Sequence, residues 1–456
     1  MADNISMKFS KIISAALIGV AFICYSSVFA GIYKFKNKNK YAPQNVIVMI
    51  SDGCGYHHVD AASYYQYGKT GMQVYEHFPT RLAMSTYMYN GGYDPASAWE
   101  NFNYVENGAT DSAAAATSMS TGKKTYAGAI GVDIAEEPID HIIEIFENLG
   151  KSTGVVTSVE WSHATPAGFV AHKLSRNNYK QIAQEMIYES AVDVIMGCGH
   201  PWYDADGNRI DSPNTFKYVG GETTWDNLVA GTAGGDADGD GVDDPWTLIQ
   251  TRAEFIALAS GATPDRVAGV VQVYKTLQQG REGDGYAAPY DVAQNESVPT
   301  LEEMTRGALN VLDNDPDGFF LMVEGGAVDR AGHDNQSGRV IEEEIDFNRS
   351  VEAVVQWVKK NSNWGETLVI VTGDHETGYL TGPGSNPDWN PLVNNGAAML
   401  PDMEWHSGSH TNQLIPFYAK GRGADLFKKK ADESDPVRGP YLDNVEIAEV
   451  LFDLFD

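Results

Sequence analysis

Residues 45–51, Asn-Val-Ile-Val-Met-Ile-Ser, form an apolar run with no polar alternation. A strand with one wet face alternates apolar and polar residues, so an unbroken run reads as a strand covered on both faces. Comparable runs stand at 153–158, 192–196, 319–323, 367–372 and 414–419. Helical patterns lie between them. In 339–360, Ile341, Ile345, Val351, Val354, Val355 and Val358 share one side, and 444–454 also reads as an amphipathic helix. Covered strands alternating with helices predict an α/β fold: a central, predominantly parallel sheet sandwiched by helices. Gly, Asp, Pro and Asn crowd 200–247, which reads as part of an inserted, loop-rich, acidic elaboration at about 200–300. A second Gly/Pro/Asn-rich segment spans 381–409, and no internal repeat of solenoid period is present.

The chain has 456 residues and is 43% hydrophobic, enough for one large core. Its start reads as an export signal. Lys8 and Lys11 precede a mostly apolar stretch from Ile12 to Phe29, and Val28-Phe29-Ala30 suits cleavage. Residues 1–30 are therefore expected to be a signal peptide, and 31–456 the exported domain, periplasmic or secreted. The competing reading is a membrane anchor, for which the apolar region is short. No later segment reads as transmembrane, so no stable membrane insertion is expected after cleavage. Ile23 before Cys24 argues against lipoprotein processing. Cys54 and Cys198 then remain, and both are expected to be free.

The formal net charge is -30, with a pI of about 4.6. Such a chain repels nucleic acid at long range, so no nucleic-acid partner is expected. An anionic substrate would need a strong local positive field, which bound metal ions supply.

Ligands of open α/β sheets bind beyond the carboxyl ends of the strands. Asp52-Gly53 follows the run 45–51, and His163 and Thr165 follow 153–158. Glu324, Asp329 and His333 follow 319–323, and Asp374-His375 follows 367–372. His410 stands just before 414–419. A lone Asp after a strand is usually a turn or a cap, and a lone His is usually structural. Carboxylates and imidazoles at five strand ends are a different matter. Their mixed oxygen and nitrogen donors suit a multi-metal hydrolytic site. Asp329 and His333 have i,i+4 helical spacing, although a compact loop reads equally well.

Thr110-Asp111-Ser112 precedes four alanines that open a helix. Ser112 falls in its first turn, where free N–H groups favour an oxyanion. Capping by Thr110 or Asp111 is the plain alternative. A serine is not nucleophilic at its own pKa, and no Gly-x-Ser-x-Gly elbow surrounds Ser112, so a metal is its natural activator. Arg176 offers a planar fork suited to two phosphoryl oxygens, but by position alone it is a surface arginine.

Several segments, taken together and in order, resemble the alkaline phosphatase family. They are Val48 to Gly53, Thr110 to Ala115, His163 to Pro166, Val323 to Gly326, Thr372 to His375 and His410-Thr411. The resemblance runs over roughly 43–180, 315–380 and 403–455. It implies hydrolysis of phosphate monoesters through a covalent phosphoserine at Ser112. It also implies two zinc ions, Zn2+, and one magnesium ion, Mg2+. One zinc matches Asp329, His333 and His410, and the other Asp52, Asp374 and His375. The magnesium matches Asp52, Thr165 and Glu324, and the phosphate-clamping arginine matches Arg176. Related enzymes are commonly homodimers. Two positions depart from the best-known bacterial pattern. His163 stands where many members have Asp; it resembles other bacterial and animal forms, in which this histidine approaches or ligates magnesium, and as a softer ligand it is expected to be able to admit another metal. Arg330 stands where others have Lys, His or Trp, and is expected to add positive charge near the phosphate through water.

The acidic elaboration contains Asp236-Ala-Asp238-Gly-Asp240-Gly-Val-Asp243-Asp244, which resembles a calcium loop without the closing Glu. A structural calcium ion, Ca2+, on Asp236, Asp238 and Asp240 is one reading, and a solvated acidic turn the other. Asp204-Ala-Asp206-Gly-Asn208 is a weaker version. The alternative enzyme reading is a phosphodiesterase or sulfatase of the same superfamily. A sulfatase needs Cys/Ser-x-Pro-x-Arg, which Ser112 lacks. A secreted calcium-binding structural protein would leave the strand-end ligands without a purpose.

Overall fold

The computed structural model describes residues 42–455; the expected signal peptide and Cys24 lie outside the described residues. The strands, in chain order, are β1 (Asn45–Ser51), β2 (Thr80–Ser85), β3 (Ser152–Glu160), β4 (Val194–Cys198), β5 (Thr247–Ile249) and β6 (Val267–Val270). They continue with β7 (Phe319–Gly325), β8 (Thr367–Gly373), β9 (Glu376–Thr377), β10 (Leu380–Thr381) and β11 (Glu404–Trp405). The last are β12 (His410–Thr411), β13 (Ile415–Gly421), β14 (Glu433–Asp435) and β15 (Gly439–Asp443). Eleven form one sheet in the order β14-β15-β2-β13-β8-β1-β7-β3-β4-β6-β5. From β8 to β5 every neighbouring pair is parallel. β13 runs antiparallel to both β8 and β2.

The apolar runs are unbroken because the sheet is covered on both faces. Val46, Val48 and Ile50 of β1 join the core on one face, and Ile47 and Met49 join the core on the other. β7 divides the same way, with Phe320 and Met322 on the first face and Phe319, Leu321 and Val323 on the second. Helices Ser112–Thr121, Ile142–Asn148, Ala164–Val170, Tyr179–Tyr188 and Glu446–Phe455 cover the first face. Arg252–Leu258, Leu301–Leu312 and Ser337–Asn361 cover the second. Among the described residues no helix is long and apolar enough to cross a membrane.

The region 200–300 is less irregular than its composition suggests. It adds β5 and β6 to the sheet edge, parallel to β4, and includes helices Glu222–Ala230 and Arg252–Leu258. These strands are three and four residues long, too short to stand out as apolar runs. The stretch 271–300 does lack helix and strand.

Helix Ser337–Asn361 buries a carboxyl, Glu344, against the end of β1. Ser51 Oγ donates to Glu344 Oε2 at 2.7 Å, and the Tyr75 hydroxyl donates to Oε1 at 3.4 Å. Burial pushes this carboxyl up to about 7, from an ordinary value of 4.5. The native state thus holds the proton more tightly than the unfolded chain. That contribution is fully present below 4.5 and is lost as pH rises through about 7.

Glu344→Gln cannot ionise, so its melting temperature should improve relative to wild type between about pH 5 and about pH 8. An identical difference in thermal unfolding at both pH values would contradict this. Phe320 is fully buried, with ring centroids 5.3 Å from Phe146 and 6.1 Å from Phe169. Phe320→Ala should cost roughly 3–5 kcal/mol in denaturant unfolding.

Candidate active site

Strand register gathers the ligands. Ser51 at the end of β1 is level with Gly325 of β7 and Gly373 of β8. Asp52 and Asp374 follow immediately, and Glu324 lies one residue before the end of β7. Thr157 of β3 is level with Glu324, and the chain beyond β3 brings His163 and Thr165 to the same edge. His410 precedes its strand rather than following it. It still reaches this edge because β13 is antiparallel, and β12 pairs His410 with Thr377 of β9. Asp329 and His333 lie on one helix, Ala327–His333, which settles the i,i+4 reading. Gly53 permits this crowding: its φ is +76°, and a Cβ there would lie 2.7 Å from Asp329 Cα.

Three groups of donors result. In the first, Asp329 Oδ2 is 3.4 Å from His333 Nε2, and Oδ1 is 3.3 Å from His410 Nε2. His333 Nδ1 donates to the Gly408 carbonyl and His410 Nδ1 to the Thr110 carbonyl, each at 2.8 Å. A carbonyl only accepts, so both Nδ1 atoms carry hydrogen and both Nε2 atoms turn inward. The two Nε2 atoms are 3.1 Å apart, a spacing that requires a proton or a cation between them. In the second group, His375 Nε2 lies 3.6 Å from Asp52 Oδ1 and 3.3 Å from Asp374 Oδ2. The third joins Asp52, His163 and Glu324, with ligand atoms within 4.8 Å of one another. Asp52 belongs to both the second and the third.

The polar atoms here are buried and largely unpaired. Both Asp52 oxygens, Asp374 Oδ2, Glu324 Oε1, Thr165 Oγ1 and His163 Nδ1 have no hydrogen-bond partner. Burial, reinforced by neighbouring carboxylates, pushes Asp52 well up and Asp374 to about 7. Burial also raises Glu324, against a hydrogen bond from Thr157. Burial would likewise raise Asp329, but hydrogen bonds from His333 and His410 outweigh it and hold the carboxyl well down. The bond to Asp329 pushes His333 up to about 9. Burial, and then Arg176 and Arg330, pull His163 well below its usual value. Unpaired buried acceptors of one sign are costly unless cations neutralise them. The donor set fits divalent metal ions, with mixed histidine and carboxylate in the first two groups and mostly oxygen in the third.

Ser112 opens helix Ser112–Thr121, and its Oγ is 3.3 Å from His375 Nε2. Asp111 is the cap, accepting from the Ala114 N–H at 3.0 Å. Arg176 Nη1 donates to Asp111 Oδ2 at 2.9 Å, and Nη2 donates to His163 Nε2 at 3.2 Å. Arg330 forms an ion pair with buried Glu160, so its charge is spent on a partner that sequence reasoning did not name. Asp111 and Thr377 were also not singled out for the site. Thr377 Oγ1 donates to Asp329 Oδ1 at 2.6 Å and lies 3.3 Å from His375 Nδ1. Its position two residues after His375 was the available signal.

The acidic loop departs from the expected ligand set. Asp236, Asp238 and Asp244 come together, whereas Asp240 stays out and accepts from the Val242 N–H at 2.8 Å. Asp236 Oδ2 accepts from Gly241 N–H and Asp244 Oδ2 from Ala237 N–H, each at 2.9 Å. Asp204 Oδ1 similarly accepts from the N–H groups of Asp206 and Asn208. Backbone hydrogen bonds thus organise both turns. Cys54 and Cys198 are buried and free.

Comparison with known proteins gives this arrangement a family. The family model described as alkaline phosphatase matches residues 43–401. The chain is 31% identical over 378 residues to "Alkaline phosphatase 3" of Bacillus subtilis (strain 168), covering 81% of this chain and 69% of that protein. It is 29% identical over 418 residues to the alkaline phosphatase of Escherichia coli (strain K12), covering 86% of this chain and 84% of that one. The solved alkaline phosphatase of the Antarctic bacterium TAB5 superposes with a TM-score of 0.60 at 25% identity, over 91% of this chain and 98% of the other. The chain belongs to the alkaline phosphatase family, metal-dependent hydrolases of phosphate monoesters.

Proposed function

We infer that the chain hydrolyses phosphate monoesters through a phosphoserine intermediate on Ser112, at a site for two zinc ions and one magnesium ion. The observation that carries this reading is the set of unpaired, buried ligand atoms converging beside the Ser112 hydroxyl. Asp329, His333 and His410 would hold one zinc, and Asp52, Asp374 and His375 the other. Asp52, Thr165 and Glu324 would hold magnesium, with His163 beside them. When bound, these ions supply positive charge to the serine oxygen, the phosphoryl group and the departing oxygen.

The chain's own groups do the rest. Ser112 Oγ forms a bond to phosphorus as the ester P–O bond breaks, and the alcohol leaves. Water later cleaves the phosphoserine, releasing phosphate and restoring the hydroxyl. The Ser112 N–H, in the first helical turn, points toward an incoming oxyanion. Arg176 presents a planar fork that two phosphoryl oxygens match. Asp111 caps the nucleophile's helix and holds the same arginine, so one carboxylate fixes both. Burial and the two nearby arginines favour neutral His163, whose single free lone pair, on Nε2, accepts from Arg176. We further propose export through residues 1–30, to the periplasm or outside the cell.

Ser112→Ala should keep its metals, form no phosphoenzyme and lose at least roughly 10³-fold in kcat. Unchanged turnover in that variant would overturn the mechanism. Arg176→Ala should lower kcat/KM for a simple monoester by about 10²-fold. Chelator dialysis should abolish activity and zinc should restore it; activity in metal-free protein would count against the scheme. Faster turnover of a diester or a sulfate than of a monoester would move the assignment to another branch of the superfamily.

A further inference from the structure

A second group of metal-ligating side chains lies outside the strand-end site, and no step of the reaction uses it. His141, Glu144 and His172 bring ligand atoms within 4.8 Å of one another. His141 is completely buried, yet neither of its ring nitrogens has a hydrogen-bond partner. A buried imidazole without partners is costly, and in native structures such a group calls for an explanation. Its Nδ1 is 3.3 Å from Glu144 Oε2. His172 Nε2 is 3.7 Å from the same carboxylate oxygen and 3.1 Å from the Ile139 carbonyl.

The group behind His172 is arranged as metal-site supports are. His172 Nδ1 meets Glu185 Oε1 at 3.2 Å. Glu185 is itself fixed by the His172 backbone N–H at 2.7 Å and by an ion pair with Lys173. With acceptors at both ring nitrogens the metal-free His172 is held protonated, so a bound ion takes the place of the Nε2 proton while Glu185 keeps the one on Nδ1. The two imidazole rings lie with centroids 4.2 Å apart.

We propose that His141 Nδ1, His172 Nε2, Glu144 Oε2 and the Ile139 carbonyl oxygen form a structural site for a zinc-class divalent ion. Two imidazoles, a carboxylate and a carbonyl give four donors of the kind zinc takes in tetrahedral sites. Calcium and magnesium need more oxygen than this set offers. The Glu144 side chain is 38% exposed, which gives an ion a route to the otherwise buried His141. The ligands come from two segments that the backbone already joins. Lys173 and Ile130 exchange N–H···O bonds of 2.8 and 3.0 Å, and the Arg176 N–H donates to the Gly128 carbonyl at 2.7 Å. His172 precedes Arg176 by four residues. An ion here ties the helix Ile142–Asn148 to the segment that carries the arginine, without touching substrate.

The test starts from enzyme whose strand-end site is loaded with zinc and magnesium, equilibrated with micromolar free zinc. Anomalous diffraction at the zinc edge should show a peak between His141 Nδ1, His172 Nε2 and Glu144. Elemental analysis should find one zinc fewer per chain in His141→Ala and in Glu144→Gln than in wild type. Zinc should raise the melting temperature of loaded wild type but not of either variant, with kcat for a simple monoester retained. A wild-type map with no anomalous density at the cluster overturns the proposal, and so does equal zinc content in wild type and Glu144→Gln. If His141→Ala does not fold, the wild-type map and Glu144→Gln still decide.

Discussion

Asp52 is the constraint on which the site turns. Its carboxylate is fully buried, neither oxygen has a hydrogen-bond partner, and it is shared by two of the three donor groups. Alone, burial would keep it protonated. Cations bound on both sides would reverse that balance, because Coulombic attraction is strong where water is excluded. The same reasoning extends to Asp374 and Glu324, whose free oxygens face the same space. An acidic chain could serve an anionic substrate in this way, since the charge that matters would be local and supplied by bound ions.

The fold serves this arrangement through register. Parallel strands that end level deliver their following residues to one line, and the ends of β1, β7 and β8 are level to the residue. Antiparallel β13 then lets a histidine that precedes its strand join the same line. Core packing on both faces of the sheet fixes that register, since slipping a strand by one residue would exchange its two apolar faces.

Much of this was legible in the sequence, for a definable reason. Apolar runs such as 45–51 and 367–372 are long enough to be seen, and the residues just after them are short polar ligands. Their pairing order was not legible, because which strands neighbour each other depends on contacts between segments hundreds of residues apart. β5 and β6 were hidden by brevity. The calcium-loop spacing presumes a loop wrapped around an ion, and the geometry of the loop follows it only at Asp236 and Asp238. Here Asp240 accepts a local N–H, and Asp244 takes its place. Glu160 was invisible for another reason: it holds Arg330, and supporting residues carry no motif of their own, whereas Thr377, which holds Asp329, was marked only by its nearness to His375.

The two departures from the familiar pattern are linked physically. Where a carboxylate at position 163 would pair with a cation at position 330, a neutral histidine cannot. Arg330 pairs instead with Glu160, a buried carboxylate three residues before His163. Arg176 is affected as well, since its fork is divided between Asp111 and His163. A neutral acceptor holds a guanidinium less tightly than a carboxylate does, so in the proposed mechanism that half of the fork would be the easier one to surrender to phosphate. Position 163 therefore touches both Arg176 and the third donor group through one side chain.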